Sequence, residues 1–470
     1  MRINLWFLKK HGGKMTKKII YSCILALIFT VNGFAGGKKK AKKVWERIKL
    51  SAEERGKCAL LYEHAHYKGK EWAFCPGKKS PAGSDWNDKA SSIRVPIGGK
   101  VKVCKHNHGG PCFSYFSDVP WVGHHLNDQI SWIQYGEFDE DDFTMILMSD
   151  PQLYWKCSRE DGQCIKKTGG KADKELGDQE KKQGKLSNQW HTASIKKLAA
   201  SIPFKNFGGV ISNGDLTAFG HSHELDAYKS YYETHGFKVN MYPGLGNHDY
   251  GKNNVDDCFR NACARRMVNY MTDRMQSFNP VAMDHKFKNY YKFPSKKHDH
   301  IGSLGYAFDI GNVRFVQLHN YPTYVKTFNG WDLKGFRETV YIKSSMDWVK
   351  KMVKDNPSKR FVFNWHDPWE HFDKNQQSKF ADFCAGRKCP VVFTGHYHHI
   401  NGFNRYYEGK KQKIPVFLSG SASYNKYLKV RFQKDNITIT AIDSENGGVK
   451  EYQDWHIKMN RPGSAYNGKP

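Results

Sequence analysis

Residues 391–399 read Val-Val-Phe-Thr-Gly-His-Tyr-His-His, an apolar run that stops at Gly395 and then presents His396 and His398. Imidazoles delivered at the end of a buried strand suit a metal ion, because the strand fixes the donors while the following loop bends around the cation. A second pair, His221 and His223, follows Gly220. Two close histidines also serve as ordinary polar loop residues, so neither pair decides alone. Other donors follow apolar runs in the same way: Asp150 after 143–149, Asp215 after 209–213, Asn247 after 238–242, His366 after 360–365. Singly, Asp150 and Asp215 could cap helices, Asn247 could sit in a turn and His366 in a core. Oxygen or imidazole donors at five strand ends, with no lysine among them, point to one metal crevice instead. His221 and His223 have no apolar strand leading into them, which places them on the rim, where substrate rather than metal would meet them. Tyr250, Trp365, Trp369, Tyr397 and His399 are either walls of the same pocket or packing.

Positioning those donors requires an α/β domain, and from residue 143 apolar strands do alternate with amphipathic helices. Strands are expected at 143–149, 209–213, 238–242, 303–310, 312–319, 360–365 and 391–394. Helices are expected at 189–200, 224–234, 258–276 and 345–354. A polar stretch at 157–186 reads as a surface loop, and the tail from 413 as strands at 414–419, 427–432 and 437–442, with no helix after 403. Residues 58–135 have a different grammar, short strands separated by Gly, Asn and Asp, which suggests a small all-β sandwich. Its two halves repeat at a spacing of forty residues: Asn87-Asp88-x-x-Ser91 before Ile93, and Asn127-Asp128-x-x-Ser131 before Ile133. The expected boundaries are a signal peptide at 1–35, a basic linker at 36–55, the β-sandwich at 56–140 and the α/β domain at 141–470.

The signal-peptide reading rests on Lys17-Lys18, the apolar run 19–31 and the small residues Gly33 and Ala35, with Met15 the more ordinary start. No later segment is apolar enough to span a bilayer, so a secreted or periplasmic protein is expected. Ten cysteines beyond Cys23 fall into five local couples, Cys58/Cys75, Cys104/Cys112, Cys157/Cys164, Cys258/Cys263 and Cys384/Cys389. None is a Cys-x-x-Cys, and an even, pairwise set in an exported chain reads as disulfides rather than zinc. The formal charge of +28 suits anionic partners: a phosphorylated substrate and an acidic surface or matrix. Solubility alone is the bland account of that charge. No basic-aromatic repeat accompanies it, so nucleic acid is expected only as a substrate.

The ordered set Gly214-Asp215, Gly246-Asn247-His248-Asp249, His366 and Gly395-His396-x-His398 resembles the calcineurin-like metallophosphoesterases over roughly residues 143–455. That resemblance implies a four-layer α/β/β/α sandwich with two divalent transition metals. Asp150 and His398 would hold one, Asn247, His366 and His396 the other, and Asp215 would bridge them. His248 would be the catalytic residue that binds no metal, oriented by Asp249. A hydroxide between the cations would attack a phosphate mono- or diester in line, with His248 stabilising or protonating the leaving oxygen. The family's first motif is Asp-x-His, whereas here Gln152 replaces the imidazole. Its carbonyl oxygen can still ligate, and favours manganese, iron or magnesium over zinc. Ala218 stands where purple acid phosphatases carry a tyrosinate, which argues against a coloured ferric centre.

The β-sandwich in turn resembles a βγ-crystallin domain. Its paired Asn-Asp-x-x-Ser loops imply calcium on Asn87, Asp88, Ser91, Asn127, Asp128 and Ser131; the alternative is that these residues only cap turns. Tyr62, Tyr67 and Gly69 match that family's aromatic corner, while the second half lacks those aromatics and carries Trp132 in place of the last serine. Two functional classes follow. One is a secreted phosphoesterase with an appended calcium module; the other is a calcium-binding surface-binding or matrix-binding protein with a degenerate, non-catalytic phosphoesterase domain.

Overall fold

The computed structural model describes residues 56–76, 79–80, 85–106, 110–152, 174–233, 237, 239–251, 258–292, 295–331, 337–458 and 465–466. The expected signal peptide and basic linker and the Cys157/Cys164 couple lie outside them. In the N-terminal region, β1 (Ala59–His64), β2 (Lys68–Phe74) and β4 (Ser92–Arg94) form a sheet in the order β2-β1-β4. The strands β3 (Lys79–Ser80), β5 (Gly99–Lys105), β6 (Cys112–Tyr115) and β7 (Ile130–Glu137) form a second, in the order β3-β7-β5-β6. The halves exchange strands: β3 of the first pairs with β7 of the second, and Val119 of the second bridges Ile93 in β4 of the first. Disulfides Cys58–Cys75 and Cys104–Cys112 staple the β1/β2 and β5/β6 pairs. At the first corner Tyr62 and Tyr67 meet edge to face at 5.8 Å, and Gly69 turns the chain at a φ of +80°.

The larger region is built on two seven-stranded sheets. The first, in the order β10-β9-β8-β22-β23-β24-β25, contains β8 (Asp142–Met148), β9 (Phe207–Ser212), β10 (Met241–Pro243), β22 (Lys426–Gln433), β23 (Asn436–Asp443), β24 (Lys450–Lys458) and β25 (Ala465–Tyr466). The second runs β11-β14-β15-β18-β19-β21-β20. It contains β11 (Ala282–Met283), β14 (Tyr306–Ile310), β15 (Val313–Gln317), β18 (Arg360–Asn364), β19 (Val391–Thr394), β20 (Asn401–Glu408) and β21 (Lys413–Ser419). The sheets share a core, in which Phe143 of the first stacks on Phe432 at 5.2 Å and meets Phe315 of the second at 6.2 Å. Of the helices α1 (Lys174–Ser201), α2 (Ser222–Tyr232), α3 (Asn247–Tyr250), α4 (Ala262–Ser277), α5 (Met346–Asp355) and α6 (Lys374–Cys384), the last two cover the other face of the second sheet. Val349, Met352 and Phe380 pack there on Val316, Phe363 and Val392.

Three expectations need correction. Helix α1 begins inside the stretch expected to be a surface loop, which its Lys- and Glu-rich N-terminal half, without an apolar stripe, concealed. Strands β12 (Lys286–Lys292), β13 (Ser295–Gly302), β16 (Lys326–Trp331) and β17 (Arg337–Ile342) form an additional sheet, ordered β12-β13-β17-β16, that the sequence reading lacks. Finally, Cys384 and Cys389 are unbonded thiols, buried in the apolar cluster under α6, whereas Cys258–Cys263 is a disulfide. Ser51–Pro470 groups as one compact unit, and its main core runs from Leu61 in β1 to Ile457 in β24 without a break.

Candidate metal centre

The parallel strands β8, β9 and β10 of one sheet and β18 and β19 of the other all end at the same place. Asp150 follows β8, Asp215 follows β9, Asn247 opens α3 after β10, His366 follows β18, and His396 and His398 follow β19. Their loops are laced together. The amide of Asp150 donates to the Gly214 carbonyl at 3.1 Å, that of Gln152 to the Asp215 carbonyl at 3.0 Å, and that of Gly395 to the His366 carbonyl at 2.9 Å. Asp150, Gln152, Asp215 and His396 are held at φ values of 53°, 32°, 50° and 73°, a left-handed conformation that non-glycine residues adopt at some cost. Such strain persists where surrounding structure over-determines it, most often at functional sites. The glycines preceding Asn247 and His396 are dictated by close approach: a Cβ on Gly246 would stand 2.1 Å from Asp215 Oδ1, and one on Gly395 1.8 Å from Ser149 Oγ.

The donors fall into two groups that share Asp215. In one, His366 Nε2 lies 3.0 Å from Asp215 Oδ2, 2.9 Å from Asn247 Oδ1 and 3.2 Å from His396 Nδ1, with His396 Nδ1 3.1 Å from Asn247 Oδ1. In the other, His398 Nε2 lies 3.0 Å from Asp150 Oδ1, and the ligand atoms of Asp150, Asp215 and His398 lie within 4.8 Å of one another. Two carboxylates, three imidazoles and an amide oxygen converging this closely suit a divalent cation in each group. The buried Gln152 Oε1 has no hydrogen-bond partner, an arrangement expensive for an oxygen unless a cation meets it. Electrostatics agree. Burial opposes charge on His366, but Asp215 and Asp150 outweigh it and push the imidazole up to about 9. Burial also opposes charge on Asp215, and His366, His248 and His396 outweigh it, holding that carboxyl far below its usual range. The centre is thus a negative well that protons fill and cations can take over.

A sequence profile of the calcineurin-like phosphoesterases matches residues 143–399, the span that supplies every one of these donors. The chain belongs to the calcineurin-like phosphoesterase family. No curated protein matches it. The N-terminal region is similar to solved βγ-crystallin domains. One is a double mutant of a domain from Clostridium beijerinckii, 32% identical, covering 17% of this chain and 97% of that one with a TM-score of 0.16. Another is from Flavobacterium johnsoniae, 21% identical, covering 17% and 93% with a TM-score of 0.16. A third, the Ca2+-bound form of a domain of Abundant Perithecial Protein from Neurospora crassa, is 18% identical and covers 18% and 92% with a TM-score of 0.17.

Within the calcineurin-like phosphoesterase region, His248 stands beside the shared carboxylate: its amide donates to Asp215 Oδ1 at 2.9 Å, and its Nδ1 meets the Ala218 carbonyl at 2.7 Å. That carbonyl orients the ring. The Asp249 carboxylate accepts from the amides of Leu216, Thr217 and Gly246 at 3.0 Å each and from the Thr217 hydroxyl at 2.8 Å. Burial and the Asp215 charge push Asp249 up to about 7. It braces the Asp215 and Asn247 loops. Gln152 turns its amide nitrogen to Asp215 Oδ2 at 2.9 Å, so as placed it contacts the shared carboxylate through its donor end. Sequence reading missed Glu370, which accepts from His396 Nε2 at 2.6 Å, and the Asn213 carbonyl, which meets His366 Nδ1 at 2.9 Å. Both fix which ring nitrogen faces the centre. No spacing signal announces Glu370, since the loop after β18 determines its reach.

Of the aromatic candidates, Tyr250 and Trp365 are buried packing residues, while Trp369, Tyr397 and His399 are at the rim. His221 and His223 stack on each other at 5.5 Å, and Phe219 lies 6.0 Å from both His221 and His248.

In the βγ-crystallin-like region the two Asn-Asp loops cross over. Asp88 Oδ1 accepts from Ser131 at 2.8 Å and the Asp88 amide donates to Ile130, while Asp128 Oδ1 lies 3.5 Å from the Ser91 hydroxyl and its amide donates to Ala90. Asn87 and Asn127 each donate to the adjacent aspartate at 2.8 Å. Asp88 and Asp128 take φ values of 54° and 55°. Each loop is completed by a serine of the other.

Proposed function

We propose that this chain is a secreted, binuclear metal-dependent hydrolase of phosphate mono- or diesters, its catalytic region a four-layer α/β/β/α sandwich. The observation that carries the reading is the pair of donor groups sharing Asp215: Asp215, Asn247, His366 and His396 on one side, and Asp150, Asp215 and His398 on the other. When bound, two divalent cations, manganese, iron or zinc, supply Lewis acidity toward the phosphoryl oxygens and an acidified water as nucleophile. The protein's own work is positional. Glu370 and the Asn213 carbonyl hold His396 and His366 in one tautomer, and the Asp249 bracing keeps the Asp215 and Asn247 loops at fixed spacing. With Nδ1 on the Ala218 carbonyl, His248 directs its other ring nitrogen to the substrate, where it stabilises or protonates the leaving oxygen. Calcium on Asp88, Asp128, Ser91 and Ser131, with Asn87 and Asn127 supporting the loops, is the second part of the proposal.

The test is metal analysis of full-length protein purified without chelator, followed by nitrophenyl phosphate mono- and diesters assayed with manganese, zinc and iron. Two transition-metal equivalents and turnover of one ester class are expected. Silence on every ester with both metals bound would overturn the hydrolase and leave a binding protein.

A further inference from the structure

The edge strand β20 carries a bulge at Asn404: Phe403 stands opposite Phe417, whereas Arg405 stands opposite Val416. In an unbroken strand residues an even number apart share a face. Phe403 and Tyr407 do not. Phe403 packs with Phe417 against the core between the sheets, while Tyr407 lies on Trp365 at 5.9 Å in the cluster under α6. The bulge therefore turns Arg405, with Tyr407, toward the second face, which is what bulges beside active sites do.

There the guanidinium lies over the Trp369 ring at 3.8 Å, Trp369 stacks on Tyr397 at 4.2 Å and 20°, and the Tyr397 ring is 5.0 Å from His396. The stack thus grows out of the two loops that carry His366 and the His396/His398 pair. Its base is rigid: the Asp367 carboxylate accepts from the amides of Trp369, Glu370 and His371 at 3.0, 2.8 and 2.9 Å, and the Tyr407 hydroxyl donates to the Pro368 carbonyl at 2.6 Å. Arg405 is exposed, and its Nε donates to Asn404 at 3.0 Å. Among the described residues its terminal nitrogens have no acceptor and no carboxylate pairs with it, while Glu370 in the same loop is engaged by His396. A guanidinium held flat on a ring is pre-organised to grip an oxyanion through two parallel hydrogen bonds.

We propose that Arg405 is a specificity subsite that binds a second anionic group, phosphate or carboxylate, carried on the alcohol portion of the substrate ester. The proposal rests on the phosphoesterase reading of the centre. Its test uses the full chain with metals bound. Calorimetry compares methylphosphonate with a graded series of α,ω-alkanediphosphonates and ω-phosphonocarboxylates, on wild type, Arg405→Gln and Arg405→Lys. One chain length should bind wild type roughly ten- to hundredfold tighter than methylphosphonate. Arg405→Gln should remove that gain and leave methylphosphonate at its wild-type affinity, and Arg405→Lys should retain part of it. A gain confined to the diphosphonates identifies phosphate as the second group, and a gain in both series identifies any oxyanion. Arg405→Gln weakening both ligand types equally, or neither, overturns the subsite, as does a wild type that shows no gain at any length. Methylphosphonate that fails to bind wild type strikes the centre itself, and so is distinguishable from a gain that survives Arg405→Gln.

Discussion

His248 and His398 both lie within the same few ångströms of carboxylate, yet their replacement should fail in opposite ways. His248 contacts Asp215 through its backbone amide and presents its ring to substrate, so His248→Ala leaves every proposed metal donor in place. Its turnover should fall by about 10²–10⁴, the range of a positioned acid, with both metal equivalents retained on elemental analysis. Full turnover in that variant would remove His248 from the mechanism. His398 is the nitrogen donor that meets Asp150, at 3.0 Å, and Gln152 replaces the imidazole that would have backed it up. His398→Ala should therefore release one equivalent while the Asn247, His366 and His396 group keeps the other; loss of both, or of neither, would contradict the division of ligands. These donors could be read in the sequence because they follow apolar runs, and Asp215, Asn247 and His396 each follow a glycine that a Cβ would have closed. The residues that orient them, Glu370 and the carbonyls of Asn213 and Ala218, were not legible: a backbone carbonyl has no letter of its own, and a glutamate four residues beyond His366 matters only once a loop bends it back.

At the scale of elements, what the sequence showed well were the strands buried on both faces, β8, β9, β18 and β19, whose uninterrupted apolar runs have no rival reading. The four-stranded sheet was hidden because its strands carry lysine, histidine and asparagine, as in Lys-Phe-Lys-Asn-Tyr-Tyr-Lys of β12. Helix α6 had a usable signal that went unread: Asp373 accepts from the Gln376 amide at 2.9 Å and Gln376 answers at 3.1 Å, a capping box spelled Asp-x-x-Gln. The hidden sheet is tied to α4 by a buried ion network. Arg265 Nε donates to Glu338 Oε2 at 2.6 Å, and His300 Nε2 lies 2.9 Å from Glu338 Oε1. Burial tends to raise the Glu338 carboxyl, but His300 and Arg265 prevail and hold it below its ordinary 4.5. Glu338→Gln keeps the shape and strands a buried guanidinium, so about 3–5 kcal/mol of stability should be lost at neutral pH. Because the folded carboxyl is the stronger acid, its contribution is present above pH 4.5 and disappears as the pH falls through the folded value. Denaturant titrations of both proteins should therefore keep a constant gap down to pH 4.5 and converge as the pH falls below it; a gap that stays constant through that lower range as well would show that charge on Glu338 is irrelevant.

Across the whole molecule, the β-sandwich is fused to the catalytic region rather than tethered to it. Tyr115 donates to the Ser277 carbonyl at 2.8 Å, Arg274 lies over the Phe113 ring at 4.7 Å and over Phe278 at 5.2 Å, and Lys100 donates to the Phe204 carbonyl at 3.1 Å. The loop that leads into Asn127 and Asp128 abuts the end of α4, where a Cβ on Gly123 would stand 3.0 Å from Ser277 Oγ. A cation that binds the crossed Asp88 and Asp128 loops only in the native state stabilises whatever unfolds with them, by about 2.7 kcal/mol at a hundredfold excess over Kd. With one core running through both regions, that gain belongs to the catalytic region as well. Calcium should then raise a single melting transition, monitored by calorimetry in parallel with loss of phosphoesterase turnover, and the two signals should move together. Asp88→Ala removes the acceptor of Ser131 and should abolish the calcium-dependent rise without changing the transition-metal content of the other centre. Two separate transitions, with only the lower one calcium-sensitive, would mean that the shared core does not couple the regions. No shift at all would leave Asn87, Asp88, Asn127 and Asp128 as turn residues without a cation.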